Sequence, residues 1–184
     1  MEESQPFVTL NNGLKMPQFG LGTFQSKPGE VKDAVLEALK LGYIHIDTAF
    51  AYGNEAEIGE ALKEFLALPG QTKKREDLFI TTKLLHHHKG AVEEYLQKSL
   101  DNLGLDYIDL YLVHWPCTSY DKETDTWEKQ PMHLAWKKLE NAVKDGKVKS
   151  IGISNYNCQA ILDLMTYCEI PPAVNQIEMH PYLP

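Results

Sequence analysis

The sequence predicts an α/β fold whose parallel sheet curls toward a barrel, on three observations. Strand-like and helix-like stretches alternate six times along 184 residues, the pattern of right-handed βαβ units. After an opening hairpin, no further strand–strand hairpin is signalled. Polar residues with chemistry in them stand at one end of strand after strand: Asp47, Lys83, His114, Ser154 with Asn155, and Gln176 with Glu178. A parallel barrel gathers all such ends on one face, where sites are built. A doubly wound open sheet is the competing architecture, but it concentrates ligand contacts at one switch point.

The chain opens with Phe7-Val8-Thr9-Leu10, a turn at Asn11-Asn12-Gly13, and Leu14-Lys15-Met16: two short apolar runs about residues that accept positive φ. Phe19 to Phe24 reads as a strand whose glycines allow close backbone approach. Val31, Ala34, Val35 and Ala38 have helical spacing and stop at Gly42. A second strand, Tyr43 to Ile46, ends on Asp47, and Phe50, Tyr52 and Gly53 turn the chain into a helix carrying Ile58, Ala61, Leu62, Phe65 and Leu66. The third strand is Leu78 to Lys83, followed by a helix with Val92, Leu96, Ser99, Leu100 and Leu103. The fourth, Ile108 to His114, runs into Trp115-Pro116, a polar loop from Cys117 to Gln130, and a helix with Leu134, Ala135, Leu139, Ala142 and Val143. The fifth, Ile151 to Asn155, leads to a helix with Ile161, Leu164, Met165 and Cys168, and the sixth is Val174 to His180.

With 43% hydrophobic and 24% charged residues, the chain is sized for one well-buried core, read here as a single domain over residues 1–184. Its net charge of -8 disfavours nucleic acid and anionic membranes as partners. No run is long enough to span a bilayer, and Met1-Glu2-Glu3-Ser4 is acidic with no apolar segment after it. Cys117, Cys158 and Cys168 are odd in number and lack metal-ligand spacing, which reads as free thiols in a reducing, cytoplasmic setting. His86-His87-His88 reads as a solvated loop rather than a metal site, because consecutive histidines cannot all face one ion.

The organising stretch is Gly42 to Glu55. An acid inside a strand core would be expensive to bury, whereas at the strand's carboxyl end it can do chemistry. A tyrosine near it donates a proton most readily if a neighbouring cation lowers its pKa from about 10, and an acid beside that cation keeps it charged. The reading therefore calls for a lysine at the end of another strand, and Lys83 supplies it. Singly, Asp47, Tyr52, Lys83 and His114 are ordinary cap, surface or ion-pair placements. Their convergence on consecutive strand ends points to a site. Gly20-Leu21-Gly22-Thr23-Phe24-Gln25 lacks the third glycine and the immediate helix of a dinucleotide fingerprint.

Gly42-Tyr43 through Asp47-Thr48-Ala49, with Glu55 and Ile58-Gly59, resembles the first signature of the aldo-keto reductases, with Ile44 where an arginine is usual. Lys149-Ser150-Ile151-Gly152-Ile153-Ser154-Asn155-Tyr156 is similar to the second, and Leu110 to Pro116 and Asn175 to Tyr182 also resemble family segments. The resemblance implies a (β/α)8 TIM-barrel type fold with an N-terminal β-hairpin at its base, an NADPH cofactor bound without a Rossmann domain, and reduction of small carbonyl compounds. It implies Tyr52 as general acid, Lys83 paired with Asp47 and lowering the Tyr52 pKa, and His114 orienting the carbonyl oxygen. It also implies cofactor contacts at Thr23, Asp47, Ser154, Asn155 and Gln176, and a substrate wall of Phe24, Phe50 and Trp115 with His114.

A full barrel of this type takes about 250 residues, so the expected fold is truncated after the sixth strand. Its first and sixth strands become open edges, which invite self-association or a complementing segment. Two function classes follow: an NADPH-dependent carbonyl reductase, or a weakly active or inactive form acting as an interaction partner.

Overall fold

The computed structural model describes residues 6–117, 120–121, 126–127 and 130–183. The opening hairpin pairs β1 (Phe7–Thr9) with β2 (Lys15–Pro17), antiparallel. There follow β3 (Leu21–Gly22), α1 (Val31–Lys40), β4 (His45–Asp47), α2 (Glu55–Leu66), β5 (Phe79–Leu84), α3 (Val92–Leu103) and β6 (Ile108–Val113). After a two-residue pair, β7 (Tyr120–Asp121) and β8 (Thr126–Trp127), come α4 (Met132–Lys144), β9 (Val148–Ser154), α5 (Cys158–Met165) and β10 (Asn175–Gln176).

The main sheet has the order β10-β9-β6-β5-β4-β3, and every neighbouring pair is parallel. It forms a curled half-barrel of six strands with the hairpin beside it. β5 and β6 are buried along their whole length, as strands covered on both faces must be. On the outer face, Val35, Leu39, Ile58, Leu62, Phe65, Leu96, Leu100 and Trp136 join the helices to Tyr111, Val113 and Ile151 of the sheet. The other face of β6 presents Leu110 and Leu112, which pack with Phe79 and with Leu10, Leu14 and Met16 of the hairpin. Asn12 fastens that hairpin by donating to Ser150 Oγ at 2.7 Å and to the Lys149 carbonyl at 3.1 Å.

The helices follow their apolar spacing. α1 ends where Gly42 takes φ +98°, and α3 ends on Gly104 at φ +64°, conformations a side chain resists. At Gly59 the reason for glycine is space. A Cβ there would stand 2.6 Å from the Asn102 carbonyl oxygen, so α2 can touch the end of α3 only without one.

Three expectations need correction. The β7–β8 pair is an antiparallel ladder inside the segment read as a plain polar loop. A long loop satisfies its backbone groups by pairing with itself, and no apolar alternation betrays this one. The strand expected over Phe19 to Phe24 is regular only at Leu21–Gly22, and that over Val174 to His180 only at Asn175–Gln176. Both lie at sheet edges with a ladder on one side alone, so less holds them extended. Among the described residues, no helix is long and apolar enough to cross a membrane, and no cluster of histidine, cysteine and acidic residues could hold a metal. The side chains of His86 and His87 lie outside the described residues, while His88 stacks on Tyr95 at 3.4 Å between ring centroids.

Candidate active site

Asp47 is the last residue of β4, Lys83 the last but one of β5, His114 follows β6, and Ser154 and Gln176 close β9 and β10. The parallel register puts Gly22 beside Asp47 and Ser154 beside Gln176, so these groups share one rim. Tyr52 comes from a one-turn 3-10 helix, Phe50–Tyr52, closed by Gly53 at φ +67°. The turn is anchored from below. Thr48 Oγ1 donates to Asn54 Oδ1 at 2.9 Å, Asn54 Nδ2 donates to the Thr23 carbonyl at 2.9 Å, and Thr23 donates through both N and Oγ1 to the Asp47 carbonyl at 3.0 Å.

Lys83 is the centre of the site. Its side chain is 1% exposed, and its ammonium donates to Asp47 Oδ1 at 2.6 Å, to the Thr48 carbonyl at 2.9 Å and to Tyr52 Oη at 3.3 Å. The second carboxylate oxygen, Asp47 Oδ2, accepts from Gln176 Nε2 at 2.7 Å. His114 packs edge-on against the Tyr52 ring at 5.8 Å and stacks on Trp115 at 6.4 Å. Phe24 lies 4.9 Å from Tyr52 on the other contact. The structure thus brings Asp47, Tyr52, Lys83, His114, Phe24, Trp115 and Gln176 together.

Phe50 behaves differently: its ring meets Tyr95 at 5.0 Å and His88 at 6.0 Å, both edge-on. Ser154 and Asn155 are engaged with their own neighbours. Ser154 Oγ donates to the Gln176 carbonyl at 2.8 Å, and Asn155 Nδ2 donates to the His114 carbonyl at 2.9 Å and to Ser154 Oγ at 3.1 Å. Asn155 holds φ +64°, a left-handed conformation tolerated by asparagine.

The electrostatics correct one expectation. Burial lowers the Lys83 pKa, opposed by the charge of Asp47, while Tyr52 is pushed up to about 12 by burial and then by the negative charge of Asp47. Burial and the charge of Asp47 outweigh the pull of Lys83 on this phenol, because the ammonium is shared with Asp47 and the Thr48 carbonyl. A phenol at about 12 is protonated across the working pH range. It is still a much stronger acid than water at ~15.7, so transfer of its proton to an alkoxide runs downhill.

Sequence reasoning named Thr48 and Glu55 only within a signature and gave no role to them or to Asn54; the buried Glu55 carboxylate accepts from Thr82 Oγ1 at 2.6 Å and from Asn102 Nδ2 at 3.2 Å. Polar residues after a strand end look like loop residues until their burial is known. Beyond that signature, the signal was their number: Thr48, Asn54 and Glu55 crowd the link between strand and helix.

The Aldo/keto reductase family profile matches residues 16–184. The chain belongs to the aldo-keto reductase family. It is 46% identical to Aldo-keto reductase family 1 member A1 of Gallus gallus, over 96% of this chain and 57% of that one. It is 45% identical to Aldose reductase B of Dictyostelium discoideum, over 100% of this chain and 64% of that one. Among solved structures, the aldose reductase of Schistosoma japonicum superposes with a TM-score of 0.87 at 42% identity, over 95% of this chain and 61% of that one. The Bombyx mori aldo-keto reductase in complex with NADP does so with a TM-score of 0.85 at 38% identity, over 95% of this chain and 58% of that one. This aldo-keto reductase chain therefore spans less than two thirds of the length of these relatives.

The rim of this aldo-keto reductase chain has the chemistry to hold a planar carboxamide. Carboxylates and carbonyls only accept hydrogen bonds, so the nitrogen of the Gln176 amide must face Asp47 and that of Asn155 must face the His114 carbonyl. Each amide is left with a carbonyl oxygen that can receive an N–H2 group.

Proposed function

We propose that this chain, acting as a single domain, carries the chemistry of an NADPH-dependent carbonyl reductase, turning aldehydes or ketones into alcohols. The observation that carries the reading is Lys83 Nζ held between Asp47 Oδ1 at 2.6 Å and Tyr52 Oη at 3.3 Å, 1% exposed, at the rim of a curled parallel sheet. When bound, the reduced nicotinamide supplies the hydride. The chain's own part is to seat the carbonyl beside Tyr52 and to protonate the oxygen as charge develops on it. Tyr52 is the proton donor. Lys83 donates to the phenol oxygen and so stabilises the phenolate left behind, and Asp47 keeps Lys83 in place. His114 orients the carbonyl oxygen, and the exposed rings of Phe24 and Trp115, with Phe50 on its far side, wall an apolar substrate.

Thr23, Asp47, Ser154, Asn155 and Gln176 are the residues proposed to hold the cofactor, with the carboxamide at Asn155 and Gln176. The Bombyx mori neighbour's complex with NADP supports the cofactor class. The free thiols Cys117, Cys158 and Cys168 support a reducing, cytoplasmic setting.

One feature of the sheet favours a second reading. β3 and β10 each have a single neighbour, and Met165 beside Asn175, with Ile177 and Met179 just past β10, are exposed. A complementing segment or a second copy would cover that edge, and an uncovered chain would be weakly active and serve as an interaction partner.

The test is NADPH titration followed by tryptophan fluorescence, then turnover of an aromatic aldehyde. Saturable binding with turnover that Tyr52→Phe abolishes supports the reductase. A folded chain that neither binds nor turns over sinks it and leaves the second reading.

A further inference from the structure

Gln176 stands on β10 at one edge of the main sheet, and Asp47 on β4, four strands along it. Their side chains meet only because the sheet curls, and the 2.7 Å hydrogen bond between them links positions 129 residues apart. The bond takes the Asp47 oxygen that Lys83 does not use. Without a donor at Oδ2, the carboxylate could turn and offer either oxygen to Lys83. With it, Oδ1 alone faces the ammonium.

We propose that Gln176 is a positioning residue for the proton donor, holding Asp47 in the one orientation that presents a single oxygen to Lys83 and ties the acid to the ligand-facing rim. Its own position is held from the other side. The Gln176 carbonyl accepts from Ser154 Oγ at 2.8 Å and from Asn155 N at 2.9 Å, so the proposed carboxamide cradle and the carboxylate are joined through one residue. A ligand that engages the remaining oxygen of the Gln176 amide therefore acts on Asp47, and through it on Lys83 and Tyr52. The charged and titratable groups facing this unit are Lys83 on β5, Tyr52 on its turn, His114 after β6 against the Tyr52 ring, and His45 on β4, which feels the charge of Asp47. This inference rests on the reductase reading for its purpose, and its test does not need the cofactor.

The first measurement is the side-chain amide of Gln176 in the unliganded chain by 15N–1H NMR, assigned from its loss in Gln176→Leu. One amide proton should lie downfield of that of exposed Gln18 and exchange about tenfold more slowly, as a hydrogen bond to a carboxylate provides. Asp47→Asn should remove the downfield shift. The second is Gln176→Glu, which sets two carboxylates face to face. Their mutual repulsion exceeds what the single charge of Lys83 offsets, so one proton is retained to roughly two units above the usual ~4.3, visible as a new 13C carboxyl titration. A residue 176 that stands away from Asp47 produces no shared proton.

A Gln176 amide that behaves like Gln18, or a Gln176→Glu chain whose carboxyls all titrate in the ordinary range, overturns the inference, whatever the activity. A downfield amide and a shared proton in a chain without Tyr52-dependent turnover uphold the hold on Asp47 and sink the reductase reading instead.

Discussion

Lys83 lies with its ammonium 2.6 Å from Asp47 Oδ1, and the two side chains are 1% and 17% exposed. Such a pair is weak evidence for stability, because withdrawing both charges from water offsets most of their attraction. Its value is positional: the third donor site of the ammonium reaches Tyr52 Oη.

Tyr52→Phe removes the proton donor and leaves the ring contacts with Phe24 and His114. On the reductase reading, kcat for an aldehyde should fall by about 10²–10⁴ while cofactor binding is unchanged. Steady-state kinetics beside a fluorescence titration check this, and an unchanged kcat would show that another group supplies the proton.

Asp47→Ala leaves the Lys83 charge buried with no acid, and should cost about 3–5 kcal/mol of stability in urea unfolding. Lys83→Met in the same chain removes the stranded charge and should recover much of the loss. Equal stabilities for the single and double variants would mean that the ion pair is not what Asp47 contributes.

His45 is held below its ordinary 6.5 by burial, against the pull of Asp47 and a hydrogen bond with the Pro17 backbone. The unfolded chain therefore takes up a proton that the folded chain resists. The His45 contribution is intact above pH 6.5 and is lost as pH falls toward the lowered folded value. Moving from about pH 7.5 to about pH 5.5 should lower stability by ~1 kcal/mol through this residue. His45→Gln should flatten that part of the profile, and a parallel slope in the variant would refute the assignment.

Gly59→Ala tests helix contact against helix propensity. Alanine in mid-helix gains about 1 kcal/mol over glycine, but here its Cβ meets the Asn102 and Leu103 carbonyl oxygens at 2.6 and 2.7 Å. Overpacking against backbone should win, with a net loss of about 1–3 kcal/mol. A raised melting temperature would show that the α2–α3 contact yields.

Much of the site was legible in the sequence because its placement is local. Asp47, Lys83, His114 and Ser154 each stand at or beside the end of a run whose apolar pattern marks it as a strand, and parallel strands bring their ends to one rim; Gln176 was read inside a longer strand and closes it only because regular pairing stops there. The sequence gives no sign that the Phe50 ring also meets Tyr95 and His88 while Tyr52 enters the site. The Tyr52 pKa was misjudged in direction, because burial and the sharing of Lys83's charge are invisible in a list of residues.

By itself the sequence determined the order of strands and helices, the hairpin, and which residues stand at the strand ends, since hydrophobic period, glycine and proline act over a few residues at a time. Only the tertiary structure decided that Gln176 reaches Asp47 across 129 residues and that Thr48 and Asn54 fasten the Tyr52 turn. Those outcomes depend on the curl and register of the sheet, which arise from the packing of all the strands together and are written in no single stretch of the chain.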